Sequence, residues 1–113
     1  MNKNVVYMGE FGLFSETIKK VIETEGGQVF DFPSWEECKG QIQDLNPGFL
    51  MIDLDSIDIT SIGDEGKQIK TVFFSEKEIH EIKWGDIHYF QLKPVEVIKF
   101  KDFIRKIFGK ENG

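Results

Sequence analysis

The sequence predicts an α/β domain in which a five-stranded parallel sheet carries helices on both faces. Three observations predict it. Short apolar, β-favouring runs recur at Val5 to Met8, Val29 to Phe32, Phe49 to Ile52, Ile69 to Phe74 and Ile87 to Leu92. Stretches with a 3.6-residue apolar period alternate with several of these runs. The runs themselves are apolar at consecutive positions, the pattern of strands buried on both faces rather than one.

Each element has its own local signal. Val5-Val6-Tyr7-Met8 stops at Gly9-Glu10 and predicts a buried first strand. Phe14, Ile18, Val21 and Ile22 form one helical stripe, and Gly26-Gly27 supplies a left-handed stop. Val29, Phe30 and Phe32 predict a short second strand closed by Pro33. Ser34 and Glu37 then stand at capping-box spacing, ahead of a stripe made by Trp35, Cys38, Ile42 and Leu45. Asn46-Pro47-Gly48 turns the chain into the third strand, Phe49-Leu50-Met51-Ile52, which delivers Asp53 to the carboxyl edge of the sheet.

Beyond Asp53 the pattern thins. Ile57, Ile59 and Ile62 lie among acidic and small residues, and Gly63 and Gly66 limit any helix before the fourth strand, Ile69 to Phe74, ends at Ser75. Glu76 to Trp84 predicts only a short helix, carried by Ile79 and Ile82. Ile87 to Leu92 gives the fifth strand, closed by Lys93-Pro94. Val97, Phe100, Ile104 and Ile107 mark a last helix, with Gly109 just past it. Right-handed crossovers wind such a chain into a three-layer α/β/α, flavodoxin-like sandwich. The connections on either side of Ser75 are short, so the third and fourth helices of that plan are expected to be shortened.

Composition narrows the function. The 113 residues suit one domain, residues 1–113, with 40% apolar and 30% charged residues and no low-complexity stretch. A net charge of −6, from 20 acidic and 14 basic residues, disfavours a nucleic-acid partner, which needs a clustered positive face. Lys99, Lys101, Arg105, Lys106 and Lys110 do gather near the end, where the helical period makes them a solvated face. One cysteine, Cys38, excludes an internal disulfide or a cysteine-built zinc site, and its place on an apolar stripe predicts a buried thiol. The opening apolar run is too short for a signal peptide or a membrane span, so a cytoplasmic protein without a membrane partner is expected. His80 and His88 have no metal-type neighbour at a known spacing. Gly9 to Gly12 lacks the lysine and hydroxyl of a phosphate loop, and Phe11-Gly12-Leu13-Phe14 is too apolar to cradle a flavin phosphate.

In such a sheet the residues that follow each strand meet at one edge. Gly9-Glu10, Asp53, Ser75 and Lys93 are therefore expected to converge. Together they resemble the receiver domain of bacterial response regulators, over essentially the whole chain. Asp53 stands where that family has its phosphoacceptor, Ser75 where it keeps Ser or Thr, Lys93-Pro94 where it keeps a Lys-Pro pair, and Phe90 at its aromatic switch position. The resemblance implies Asp53 as nucleophile, Lys93 as cationic clamp, Ser75 as switch hydroxyl, and Mg2+ held by Glu10 with Asp53; Asp55, nearby, is the substitute for an acid that this chain lacks.

Two departures oppose that chemistry. The family has two adjacent acids where this chain has Gly9-Glu10, and a small residue where this chain has Glu76, whose charge would repel a phosphoryl group. The expectation is a degenerate receiver-like signalling domain, a pseudo-receiver of the two-component or phosphorelay type. It would act by protein–protein contact rather than as an enzyme, with a histidine kinase or a downstream signalling protein as partner. Tyr89, Phe90 and the Lys-rich face of the last helix are the expected contact surface. The alternatives are a phosphorylation-competent receiver using Asp53 with Mg2+, and a structural or assembly domain that shares only the fold. With no output domain attached, a transcription factor is not expected.

Overall fold

The computed structural model describes residues 2–78, 82–85 and 88–109. Five strands, β1 (Asn4–Met8), β2 (Gln28–Phe32), β3 (Phe49–Asp53), β4 (Thr71–Ser75) and β5 (His88–Leu92), pair in parallel in the order β2-β1-β3-β4-β5. Every residue of β3 and β4 is buried, as consecutive apolar positions in a doubly covered strand require. The edge strands β2 and β5 are only partly buried.

Alternation along the strands divides the core in two. On one face, Val5, Tyr7, Met51 and Phe74 meet Ile18 and Ile22 of α1 (Leu13–Thr24) and Phe100 and Ile104 of α5 (Val97–Ile107). On the other, Val6, Met8, Ile52 and Phe73 meet Trp35 and Cys38 of α2 (Trp35–Cys38) and Ile42 of α3 (Ile42–Leu45). The resulting α/β/α sandwich is the expected fold class. Burying the apolar stripe is what holds α1 and α5, since isolated helices of about 12 residues are marginal in water.

Several local expectations are corrected. The stripe from Trp35 to Leu45 does not make one helix. A 3-10 turn, Lys39–Gln41, separates α2 from α3, and Gly40 in that turn is a poor helix residue. Ser34 caps α2 by accepting the Glu37 amide at 3.3 Å, and Asn46 ends α3 in the left-handed conformation, φ 45°. β4 begins at Thr71 rather than Ile69. Val97 opens α5 but is 50% exposed, so the buried stripe starts at Phe100. Between β3 and β4 only a 3-10 turn, Ile59–Ser61, and one helical turn, α4 (Asp64–Lys67), form.

The short helix expected from Glu76 to Trp84 is not formed at residues 76–78 or 82–85; Ile79 and His80 lie outside the described residues, as do Ile87 and Lys110. Packing by one large side chain holds the end of that segment. Trp84 sits edge-on to Phe73 at 5.2 Å, and its indole N–H donates to Thr71 Oγ1 at 2.9 Å. Gly85 follows because a Cβ there would collide with the Lys67 carbonyl oxygen. Cys38 is fully buried, as its stripe predicts, with Sγ 3.9 Å from Met8 Sδ. No helix among the described residues is long and apolar enough to cross a membrane.

Candidate functional site

The site is built where β1, β3, β4 and β5 end. Parallel pairing puts these ends at one edge, and the register places Asp53 opposite Phe74 and Ser75 opposite Leu92. Asp53 is 5% exposed and Ser75 2%. A buried carboxylate needs a partner, and Lys93 supplies it: Nζ lies 2.6 Å from Asp53 Oδ1 and 3.2 Å from Asp55 Oδ2. The ammonium also lies 4.5 Å from the centroid of the Phe14 ring, a cation–π contact that shields it on one side.

Asp55 is the hub of the second half of the site. Its Oδ1 accepts the Ser75 hydroxyl at 2.9 Å, and its Oδ2 accepts the Glu76 backbone amide at 3.0 Å besides facing Lys93. Ser75 Oγ in turn accepts the Lys77 amide at 3.1 Å, and Asp53 Oδ1 accepts the Asp55 amide at 3.1 Å. Desolvation acts to raise the Asp55 carboxyl, but bonds from Ser75, the Glu76 amide and Lys93 outweigh it and hold the group below its ordinary value. Desolvation likewise acts to lower the Lys93 ammonium, and its bonds to Asp53 and Asp55 prevail and hold it above.

The β1 end is closed differently. An ideal Cβ on Gly9 would lie 2.7 Å from the Tyr7 hydroxyl and 2.8 Å from Asp53 Cβ. No side chain fits there without displacing one of them. Tyr7 is 1% exposed, and its hydroxyl has no hydrogen-bond partner among the described residues. Burial first, then the charges of Asp53, Asp31 and Glu10, push its pKa above the ordinary tyrosine value. Glu10 itself is exposed, and its backbone amide donates to Ser56 Oγ at 3.2 Å.

These donors do not fit a divalent cation. Magnesium asks for near-octahedral oxygen ligands. Here an oxygen of Asp53 and both oxygens of Asp55 are engaged by nearby donors, and Gly9 has no room for an acid. No group of three or more His, Cys, Asp or Glu side chains among the described residues is placed to hold a metal ion.

Of the residues singled out in the sequence, Asp53, Asp55, Ser75 and Lys93 form one hydrogen-bonded cluster, while Glu10 stands at its margin. Glu76 enters through its backbone amide, and its side chain belongs to an exposed residue. Phe90 is not in the cluster. Neighbouring strand residues point to opposite faces, so Tyr89 packs on Phe103 of α5 at 5.5 Å while Phe90 joins the other core, with Phe73 and Trp84. The surface expected to combine Phe90 with the last helix is therefore split by the sheet. His88 is exposed beside Phe73, with 5.9 Å between ring centroids. Tyr7 and Phe14 escaped the sequence argument. The only signal for Tyr7 was its place two residues before Gly9, which gives no hint that its hydroxyl reaches back to that glycine.

No family model matches the chain, and no curated protein matches it. Solved structures do. A response regulator receiver domain protein from Bacillus halodurans superposes with a TM-score of 0.77 at 15% identity, covering 95% of this chain and 97% of that one. A response regulator from Thermotoga maritima gives 0.72 at 16% identity, with 96% and 99% covered. A CheY-like receiver domain from Methylobacillus flagellatus gives 0.69 at 16% identity, with 95% and 99% covered. At such identities the likeness is one of fold: the chain has the fold of response-regulator receiver domains.

Proposed function

We propose that this chain is a receiver-like signalling module that works by contact with another protein and not by phosphorylation of Asp53. The observation that carries this reading is the closure at Gly9. The Tyr7 hydroxyl and Asp53 Cβ fill the space that a second acid after β1 would need. Without that acid, a phosphoryl group arriving at Asp53 has Lys93 but no divalent cation to balance its charge, and it meets Asp55 at close range. Contact with a protein then rests on exposed apolar residues at the same edge, of which Leu13 is 83% exposed, Ile98 72% and Phe11 58%.

A second reading, a phosphoacceptor domain using Asp53, is favoured by one distance, the 2.6 Å between Lys93 Nζ and Asp53 Oδ1. The two separate on incubation with acetyl phosphate, or with beryllofluoride, in the presence of magnesium, followed by intact mass and amide NMR. Contact signalling predicts an unchanged mass and unchanged spectra. A stable adduct that disappears in Asp53→Asn would establish the phosphoacceptor instead.

A further inference from the structure

Three donors converge on one carboxylate at the edge of the sheet. The Lys93 ammonium, the Ser75 hydroxyl and the Glu76 backbone amide come from the ends of β4 and β5 and meet the two oxygens of Asp55 at 3.2, 2.9 and 3.0 Å. An ammonium, a hydroxyl and an amide around one point are the donor set of an oxyanion site. Two of the three are sequestered, Ser75 at 2% exposure and the Lys93 side chain at 13%, so they exchange poorly with water. Asp55 is their neighbour in space but comes from the loop after β3, twenty residues before Ser75. The cradle is thus complete before any external ligand arrives, and a tethered carboxylate fills it.

We propose that the Asp55 carboxylate is a built-in oxyanion that occupies this cradle and ties the ends of β4 and β5 to the loop after β3. The cradle would otherwise take a small tetrahedral oxyanion of the inorganic phosphate class. Because Asp55 is part of the chain, it competes at an effective concentration on the order of millimolar or above, and free phosphate does not displace it. This deepens the contact-signalling reading and rests on it for its meaning, since it supplies one fixed surface without a covalent phosphoryl group.

The test follows amide hydrogen exchange and chemical shifts in the full chain, in Asp55→Ala and in Asp55→Asn, with and without inorganic phosphate. Asp55 lies in an exposed stretch of loop, so neither substitution opens the core. In Asp55→Ala the Glu76 amide is expected to exchange about ten- to a hundredfold faster, the scale of one hydrogen bond to a charged acceptor. Millimolar phosphate is expected to restore that protection and to shift the Glu76 and Lys77 amides. Asp55→Asn keeps an oxygen acceptor without the charge and falls between the two. The unsubstituted chain is expected to show no phosphate-dependent shift. The proposal is overturned if Glu76 stays protected in Asp55→Ala, if phosphate restores nothing there, or if phosphate moves both proteins alike. No phosphoryl donor is present, so this outcome is independent of whether Asp53 accepts one, and the two readings fail separately.

Discussion

The hydroxyl of Tyr7 lies against the α-carbon of Gly9, close enough that a Cβ there would come within 2.7 Å of it. Tyr7 has no hydrogen-bond partner for that hydroxyl among the described residues. Removing the oxygen therefore removes a buried, unpaired polar group, and Tyr7→Phe is expected to be neutral or to stabilise by up to about 1 kcal/mol. Gly9→Ala forces the contact and is expected to destabilise by about 1–3 kcal/mol. Urea denaturation of both variants checks the pair, and a destabilised Tyr7→Phe would show that the hydroxyl is paired after all.

Lys93 serves two carboxylates, and this makes its loss worse than the loss of either one. Lys93→Met leaves Asp53 buried without its cation and is expected to cost about 2–4 kcal/mol, near the range for breaking a buried pair. Asp53→Asn keeps the shape of the side chain and leaves Lys93 with Asp55, so about 1 kcal/mol is expected. Equilibrium unfolding gives the order directly; equal losses would mean that Asp55 does not share the ammonium.

Trp84 anchors the connection that precedes β5 through its bond to Thr71 Oγ1 at 2.9 Å. Thr71→Val preserves the shape and removes the acceptor, leaving a part-buried indole N–H unpaired. A loss of about 1–2 kcal/mol is expected, with an upfield move of the Trp84 indole proton resonance. An unmoved resonance would place that N–H in some other bond.

Burial pushes the Cys38 thiol up to about 11 from an ordinary 9.0. The folded state thus holds its proton more tightly than the unfolded chain does. This contribution to stability is complete below pH 9 and is lost as pH rises toward about 11, by at most about 1.4 kcal/mol per pH unit. Alkylation by iodoacetamide at pH 8 is expected to be about a hundredfold slower in the native chain than in urea. Equal rates would mean that α2 opens faster than the reagent reacts.

Much of this was legible in the sequence, for reasons that differ by region. Val5 to Met8 and Phe49 to Ile52 announce central strands because burial on both faces leaves an uninterrupted apolar run. Ser34 announces the start of α2 because capping is a local bond, spanning three residues. Asp53, Ser75 and Lys93 were placed together by topology alone, since parallel strands deliver their carboxyl ends to one edge. The end of the segment from Glu76 to Trp84 was not legible because it is held by tertiary contacts, Trp84 with Phe73 and Thr71, that no period records. Position along β5 suggests a shared surface for Phe90 and the last helix, although strict alternation sends Phe90 to the opposite face from Tyr89. The sequence presents Asp55 only as a substitute metal ligand, because the donors that surround it come from residues at least twenty positions away in the chain.

The sheet order has a mechanical consequence. β3 lies at the centre and β5 at the margin, yet the 2.6 Å contact from Lys93 to Asp53 reaches from one to the other across the end of β4. It acts as a guy-line that spans the intervening strand. A partner that pulls the marginal strand outward therefore also works against the ammonium's contact with the central carboxylate. Margin and centre of the sheet are thus joined by a tie only two side chains long.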